Sequence, residues 1–308
     1  MTEPTPLTVR APDGHVIRTR AWRPEGPVTG VVVIVHGVAE HGGRYGRVAR
    51  ALTGAGFAVL APDHRGHGPS CPPEDLGFFA ERDGWDRVIG DIATVLAAAR
   101  REHPDLPVVL LGHSMGSLIA RCLVARHPGG VDALVLTGTV GDQGVVGSLG
   151  GKLAGLLRRC LGPRARSRLL NALAFGGNNR AFRPARTDFD WLSRDVDEVD
   201  AYIADPCCGF VPTVSLFEDL VRGATEANRV GTLARMDPGL PVLVASGTAD
   251  PLAPKVPDVA GRMRRAGTRE VTLRLYPEAR HELFNETNRE EVLADLLDWL
   301  EVALRGSR

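Results

Sequence analysis

The chain has 308 residues, 44% hydrophobic and 24% charged, enough apolar material for one large α/β domain or two smaller ones. Lys plus Arg (37) equal Asp plus Glu (37), so no basic surplus draws the chain to nucleic acid. The opening "MTEPTPLTVRAPDG" lacks the basic and apolar regions of a secretory signal, and β-like runs such as "VVVIV" are too short to cross a bilayer.

Cysteines number 5 (Cys71, Cys122, Cys160, Cys207 and Cys208). The odd count and loose spacing argue against a disulfide framework and for the reducing cytoplasm. Vicinal Cys207 and Cys208 read as packing residues.

In chain order, "LTVRA" and "HVIRTRAW" flank an Asp13-Gly14 turn, which predicts an opening β-hairpin. Apolar, β-branched runs follow at Val31 to Val35, Phe57 to Pro62, Val108 to Gly112, Ala133 to Gly138, Pro241 to Gly247 and Val271 to Pro277. Runs apolar on both faces suit strands buried on both sides of a sheet. Between most of them lie helical spacings: "GRVARALTGAG", "WDRVIGDIATVLAAARREHP" and "SLIARCLVARHP", with "REEVLADLLDWLEVAL" closing the chain. Strand–helix alternation predicts an α/β fold with a mainly parallel sheet and right-handed crossovers. From about Asp142 to Thr232 the rhythm breaks. "GKLAGLLRRCLGPRARSRLLNALAF" and "SLFEDLVRGATEA" read as helical, joined by irregular acidic sequence. The expected organisation is a core of residues 1–141 and 233–308, with residues 142–232 inserted between sheet strands as a helical cap over the ligand-binding edge.

The stretch "LLGHSMGSLIA" places G-x-S-x-G where a buried strand turns into a helix. That context reads as a nucleophile elbow. Ser114 is held in a strained turn with its hydroxyl above the sheet, at a cost of about 1–3 kcal/mol. Gly112 and Gly116 let strand end and helix start approach, and the helix N-terminus supplies positive partial charge. The motif alone is weakly specific. The chain order Ser, then Asp, then His strengthens it. Asp250 follows the strand in "PVLVASGTADPLAP", where the plainer alternative is a turn aspartate before Pro251. His281, in "LRLYPEARHELFNE", is the only histidine downstream of Asp250. His281 would accept the Ser114 proton while Asp250 fixes its tautomer. The oxyanion donors expected are the N–H of Met115, after the nucleophile, and of Val38 in "HGVAEHGGRY". Gly37 and His113 beside them, with Leu153 and Leu157 of the cap, complete the candidate substrate-binding set.

His36, His41, His64, His67 and His113 lack the i,i+4 spacing of a helical zinc pair, so no metal is expected and their role is to hydrogen-bond the loops around the site. Glu40 and Arg44 read as a local ion pair. Arg158, Arg159, Arg164, Arg166 and Arg168, interleaved with Leu153, Leu156, Leu157, Leu161, Leu169 and Leu170, read as the solvated face of amphipathic helices. The alternative is a surface that rests transiently on anionic lipid. Trp85, Trp191 and Phe189 read as packing residues, the last two with an acyl pocket open to them.

The motifs "HGVAEHGGRY", "APDHRGHGPS", "LLGHSMGS", "SGTADPL" and "EARHELFNE" resemble those of α/β hydrolases related to monoacylglycerol lipase and bacterial lysophospholipases, a group also labelled serine aminopeptidase-like. The likeness runs along nearly the whole chain and is looser in the cap. It implies the α/β-hydrolase fold, the triad Ser114, Asp250 and His281, and Val38 and Met115 as oxyanion donors. Two positions depart from the pattern. Ala39 stands where a glycine is usual, which bears on the oxyanion loop, and Ser117 replaces a second glycine after the elbow, with helix packing as the expected consequence. The function implied is a serine carboxylic-ester hydrolase working through an acyl-enzyme, without a cofactor, on a monoacylglycerol or lysophospholipid-type ester. The rivals are an aminopeptidase (proline iminopeptidase-like) on the same triad, which needs a cap carboxylate for a free amine, a small-ester carboxylesterase, and a non-catalytic ligand binder.

Overall fold

Residues 3–305 are described by the computed structural model. The apolar runs become the strands of one sheet: β1 (Thr5–Arg10), β2 (Val16–Trp22), β3 (Gly30–Val35), β4 (Phe57–Pro62), β5 (Val108–His113), β6 (Ala133–Thr137), β7 (Val242–Gly247) and β8 (Val271–Tyr276). Their order is β1-β2-β4-β3-β5-β6-β7-β8. The opening hairpin pairs antiparallel, β2 joins β4 antiparallel, and all later pairs are parallel. The chain moves from β3 to β4 on one side and then to β5 on the other. The carboxyl ends of β3 and β5 therefore form the crevice where such sheets bind ligands.

Every residue of β3, β4, β5, β6 and β7 is buried. Alternate side chains divide between two apolar layers, as the period of two requires. Val31, Val33 and Val35 face one layer, with α2 (Gly84–Glu102), α3 (Met115–Arg126) and α9 (Val256–Arg265). Val32 and Ile34 face the other, with α1 (Gly46–Gly54) and α10 (Arg289–Ala303). Trp85 is fully buried in the first layer, as a packing residue.

The segment between β6 and β7 carries α4 (Gly144–Leu161), α5 (Arg168–Phe175), α6 (Val196–Ala204), α7 (Val214–Asn228) and the short α8 (Val230–Leu233). Two details differ from the sequence reading. The single long helical run divides at Gly162, whose φ of +86° only glycine adopts readily, before Pro163. The stretch read as irregular and acidic contains α6. There Asp195 caps the helix by accepting from the Asp197 N–H, and Asp197 and Glu198 occupy the first turn, where carboxylates complement the helix dipole. The acidity was a helix-start signal. Helix α7, within the stretch read as cap, buries Leu216, Ala224 and Ala227 in the same layer as α2 and α3. All cysteines are free, and among the described residues no helix is long and apolar enough to cross a membrane.

Candidate active site

Ser114 lies between the end of β5 and the start of α3 with φ 50° and ψ −116°, a strained conformation for a residue with a β-carbon. The packing explains the flanking glycines. A β-carbon on Gly116 would lie 1.9 Å from the Val35 carbonyl oxygen, and one on Gly112 2.5 Å from the Gly116 carbonyl oxygen. The Ser114 N–H donates to the Thr137 carbonyl at 3.0 Å. Ser117 does more than fill space in α3. Its hydroxyl donates to the Ser114 carbonyl (2.6 Å) and meets Thr139 Oγ1 (2.6 Å), tying the turn to the loop after β6. The sequence reading leaves the Ser114 hydroxyl open above the sheet. In the fold the residue is 9% exposed, because the loop after β3 crosses it so closely that a β-carbon on Gly37 would lie 3.3 Å from Ser114 Cβ.

Asp250 and His281 meet although they lie in separate loops after β7 and β8. His281 Nδ1 donates to Asp250 Oδ2 at 2.9 Å, and Asp250 Oδ1 accepts from the Leu252 N–H at 2.8 Å. Burial alone would lower the His281 pKa. The Asp250 carboxylate outweighs it and holds the imidazole above its ordinary value. Asp250 shows the converse: burial would raise it, yet His281 keeps it below the usual carboxylate value. The His281 ring lies 4.8 Å from His113, the residue preceding Ser114, and 4.8 Å from Trp191 of the inserted segment. Burial pushes His113 down to about 4, so it is neutral at physiological pH, with Nδ1 3.1 Å from Thr137 Oγ1.

The loop after β3 is fixed from several sides. The Gly37 carbonyl accepts from His36 Nδ1 at 2.7 Å, and His36 Nε2 accepts from the His64 N–H at 3.1 Å. These two bonds fix the His36 tautomer and also the peptide whose other end is the Val38 N–H. Burial, then neighbouring His64 and His67, keep His36 well below the ordinary histidine range and uncharged. The Glu40 carboxylate accepts from the Gly37 N–H, Tyr45 Oη (2.9 Å) and Arg44 (3.0 Å). Arg44 also grips Glu282, the residue after His281, through both carboxylate oxygens, at 2.7 Å for its Nη2. The local Glu40–Arg44 pair is thus one half of a buried bridge between two loops. Met115 is buried at the first position of α3 and Val38 is half-buried.

Leu153 and Leu157 pack, partly buried, against Ala154, Leu170, Val214 and Phe217. Of the basic stretch, Arg158 pairs with Glu218 (2.8 Å), Arg164 with Asp75 and Glu81, and Arg166 donates to the Leu76 carbonyl (2.7 Å), while Arg159 and Arg168 are exposed. The segment is stitched to the His281 loop. Glu282 N–H donates to Leu192 O (2.8 Å), Ser193 Oγ to Asn285 O (2.7 Å), and Arg194 Nε pairs with Glu286 (2.8 Å). Glu282 and Tyr202 escape the sequence reading because their partners lie far away in the chain, while Trp191, read as a packing residue, lies against the His281 ring. For Glu282 the signal available was a charge beside the candidate base.

One group of metal-ligand type appears among the described residues: the donor atoms of His41, Asp205 and Cys208 lie within 4.8 Å of one another. Hydrogen bonding accounts for it. His41 Nδ1 accepts from the Gly43 N–H (3.1 Å), which leaves Nε2 to donate to Asp205 (2.8 Å). A metal on Nε2 would require a proton on Nδ1, facing that N–H.

The sheet order, the strained serine after β5 and the His–Asp pair beyond β7 and β8 define an α/β hydrolase. The comparisons agree: the profile described as serine aminopeptidase, S33 matches residues 26–288, and the chain belongs to that family. It is a hydrolase, similar to a monoacylglycerol lipase of Mycolicibacterium smegmatis (35% identity, 91% of this chain and 90% of the relative). It is also similar to the human monoglyceride lipase (30%, 89% and 82%). Among solved structures, a thermostable carboxyl esterase of Bacillus coagulans in complex with glycerol superposes with a TM-score of 0.91 at 25% identity, covering 99% of this chain and 100% of that one.

Proposed function

We propose that the protein hydrolyses single-chain carboxylic esters of the monoacylglycerol type through an acyl-enzyme on Ser114. The observation that carries the reading is the buried His281–Asp250 pair, whose ring lies against His113 beside the strained serine. In this reading His281 Nε2 takes the Ser114 proton as Oγ attacks the ester carbonyl. The N–H groups of Val38 and Met115 hold the developing oxyanion, and His281 returns the proton to the leaving alcohol. Water then repeats the cycle and frees the fatty acid. No step calls for a cofactor or a metal.

The substrate class is supported by the names of the two lipase relatives and by the inserted segment. We take residues 142–232 as the cap, with α7 as its footing on the core of residues 1–141 and 233–308. Val145, Leu149 and Leu156 on α4 and Leu169 and Leu173 on α5 are between 57% and 76% exposed. Such an apolar face suits transient contact with a lipid surface more than the basic stretch does. A cytoplasmic location belongs to the same reading, supported by the free cysteines. The aminopeptidase alternative needs a free carboxylate near Ser114. Of the acids at positions 188–205, Asp195, Glu198, Asp200 and Asp205 are already engaged by Arg289, Arg47, Arg186 and His41, and Asp190 accepts from Thr187, which leaves Asp188 and Asp197 to that alternative.

The test is one preparation against mono-, di- and triacylglycerols, lysophospholipids and amino-acid anilides, with Ser114→Ala as control. Monoacylglycerol turnover that vanishes in the variant is expected. Anilide cleavage without ester cleavage would overturn the reading.

A further inference from the structure

Ala39 has φ +55°, a left-handed conformation that costs a residue with a β-carbon. It follows Val38 directly, so this turn aims the N–H that the proposed function assigns to the oxyanion. The strain persists only if something holds it. The holding atoms come from the inserted segment, about 160 residues away. The Ala39 carbonyl accepts from Tyr202 Oη at 2.9 Å and from the Gly209 N–H at 3.0 Å. Tyr202 is buried, its ring packed against Phe189 (5.1 Å between centroids) and lying beneath the Arg44 guanidinium (4.8 Å). Arg44 in turn grips Glu40 and Glu282. One side chain thus touches the strained turn and, through Arg44, the bridge to the His281 loop.

We propose that Tyr202 is a positioning residue: its hydroxyl holds Ala39 in the left-handed conformation, so that the docked cap completes the oxyanion hole rather than only covering it. The inference rests on the reading of Val38 as an oxyanion donor. It gives the glycine-to-alanine departure at position 39 a meaning. With glycine the turn would stand unaided, whereas with alanine it leans on the cap.

The test is a double-mutant cycle of Tyr202→Phe and Ala39→Gly. It is read as kcat and KM on a water-soluble acetyl aryl ester, which places little demand on the acyl-binding region, and as affinity for a trifluoromethyl ketone that forms a tetrahedral adduct. In the native background, Tyr202→Phe should lower kcat and ketone affinity together by about tenfold, the worth of one hydrogen bond expressed at the transition state, with KM little changed. In the Ala39→Gly background the same change should cost less than about threefold, because glycine no longer needs the support. Equal losses in both backgrounds, or a change in KM alone, would overturn the inference. Should Tyr202→Phe fold poorly by circular dichroism, Ala39→Val probes the turn from the other side. A β-branched residue at positive φ should lower kcat with the cap intact, and unchanged kcat would count against the proposal. Fluorophosphonate labelling of the native protein separates the two failures. If Ser114 neither labels nor turns over ester, the hydrolase reading is at fault. If it does both and the cycle is additive, only the role of Tyr202 is.

Discussion

At the scale of single residues, the His281–Asp250 pair makes a directional claim about pH. As the proposed base, His281 would work in its neutral form, so kcat/KM should rise with pH as it loses its proton. Asp250 holds that pKa above the ordinary value of about 6.5, so the acidic limb should have its midpoint on the alkaline side of it. Asp250→Asn should shift the limb downward and lower kcat by roughly 10⁴. A pH–rate profile of both proteins on a soluble ester checks this, and a limb that stays in place would point to another acid. These residues were legible because each announces itself locally: a serine between glycines, an aspartate after one strand, the only histidine after another. Glu282 and Tyr202 were not, since their partners lie 238 and 163 residues away and no local pattern encodes such a meeting. Ser117 was half legible. Its departure from glycine stands out in the motif, but its bond to the Ser114 carbonyl needs the backbone geometry of the turn.

At the scale of elements, the start of α2 shows how helices of distant origin depend on one another. Asp219 of α7 accepts the Trp85 N–H at 3.1 Å, doing for α2 what a capping residue does from within the chain. Burial pushes its carboxyl up to about 7. A raised acid favours the folded state fully below its unfolded pKa, and the benefit is lost as pH rises through the folded value. Asp219→Asn keeps the acceptor oxygen without the charge. It should therefore gain about 1–2 kcal/mol relative to the native chain at pH 8, and little near pH 4. Urea unfolding at both values would show it, and an equal effect at both would remove the carboxyl from the explanation. Strands β3 to β8 were legible from β-branched apolar runs, most plainly β3 to β7, because a strand buried on both faces has little freedom of composition, and β1 and β2 from the Asp13-Gly14 turn between two strand-like runs. Helix α6 was missed because a 9-residue helix with an acidic first turn resembles a polar loop. Its apolar stripe is too short for the period of 3.6 to stand out.

At the scale of the whole molecule, the inserted segment does two things. Residues 192–209 are bonded to the His281 loop and to Ala39, while α4 and α5 present Leu149, Leu156 and Leu173 to solvent at 57–65% exposure. If that face meets a lipid surface, replacing the three with serine should lower turnover of long-chain monoacylglycerol in vesicles several-fold. The estimate follows from about 0.8 kcal/mol per methylene withdrawn from the interface. Cleavage of a soluble acetyl ester should be unchanged. Parallel assays on both substrates decide it, and equal loss on both would mean that the substitutions damage the cap itself.

The seam between residues 191–194 and the loop carrying His281 has a consequence for modularity. An insertion that only covered a finished site could be cut out and leave a smaller, less selective enzyme. Here the loop that carries His281 is bonded to the insertion. Glu282 donates to Leu192, Asn285 accepts from Ser193, and Glu286 is paired with Arg194. Excision between residues 142 and 213 would strip those partners from the base loop. The expected product is an inert core rather than a promiscuous one.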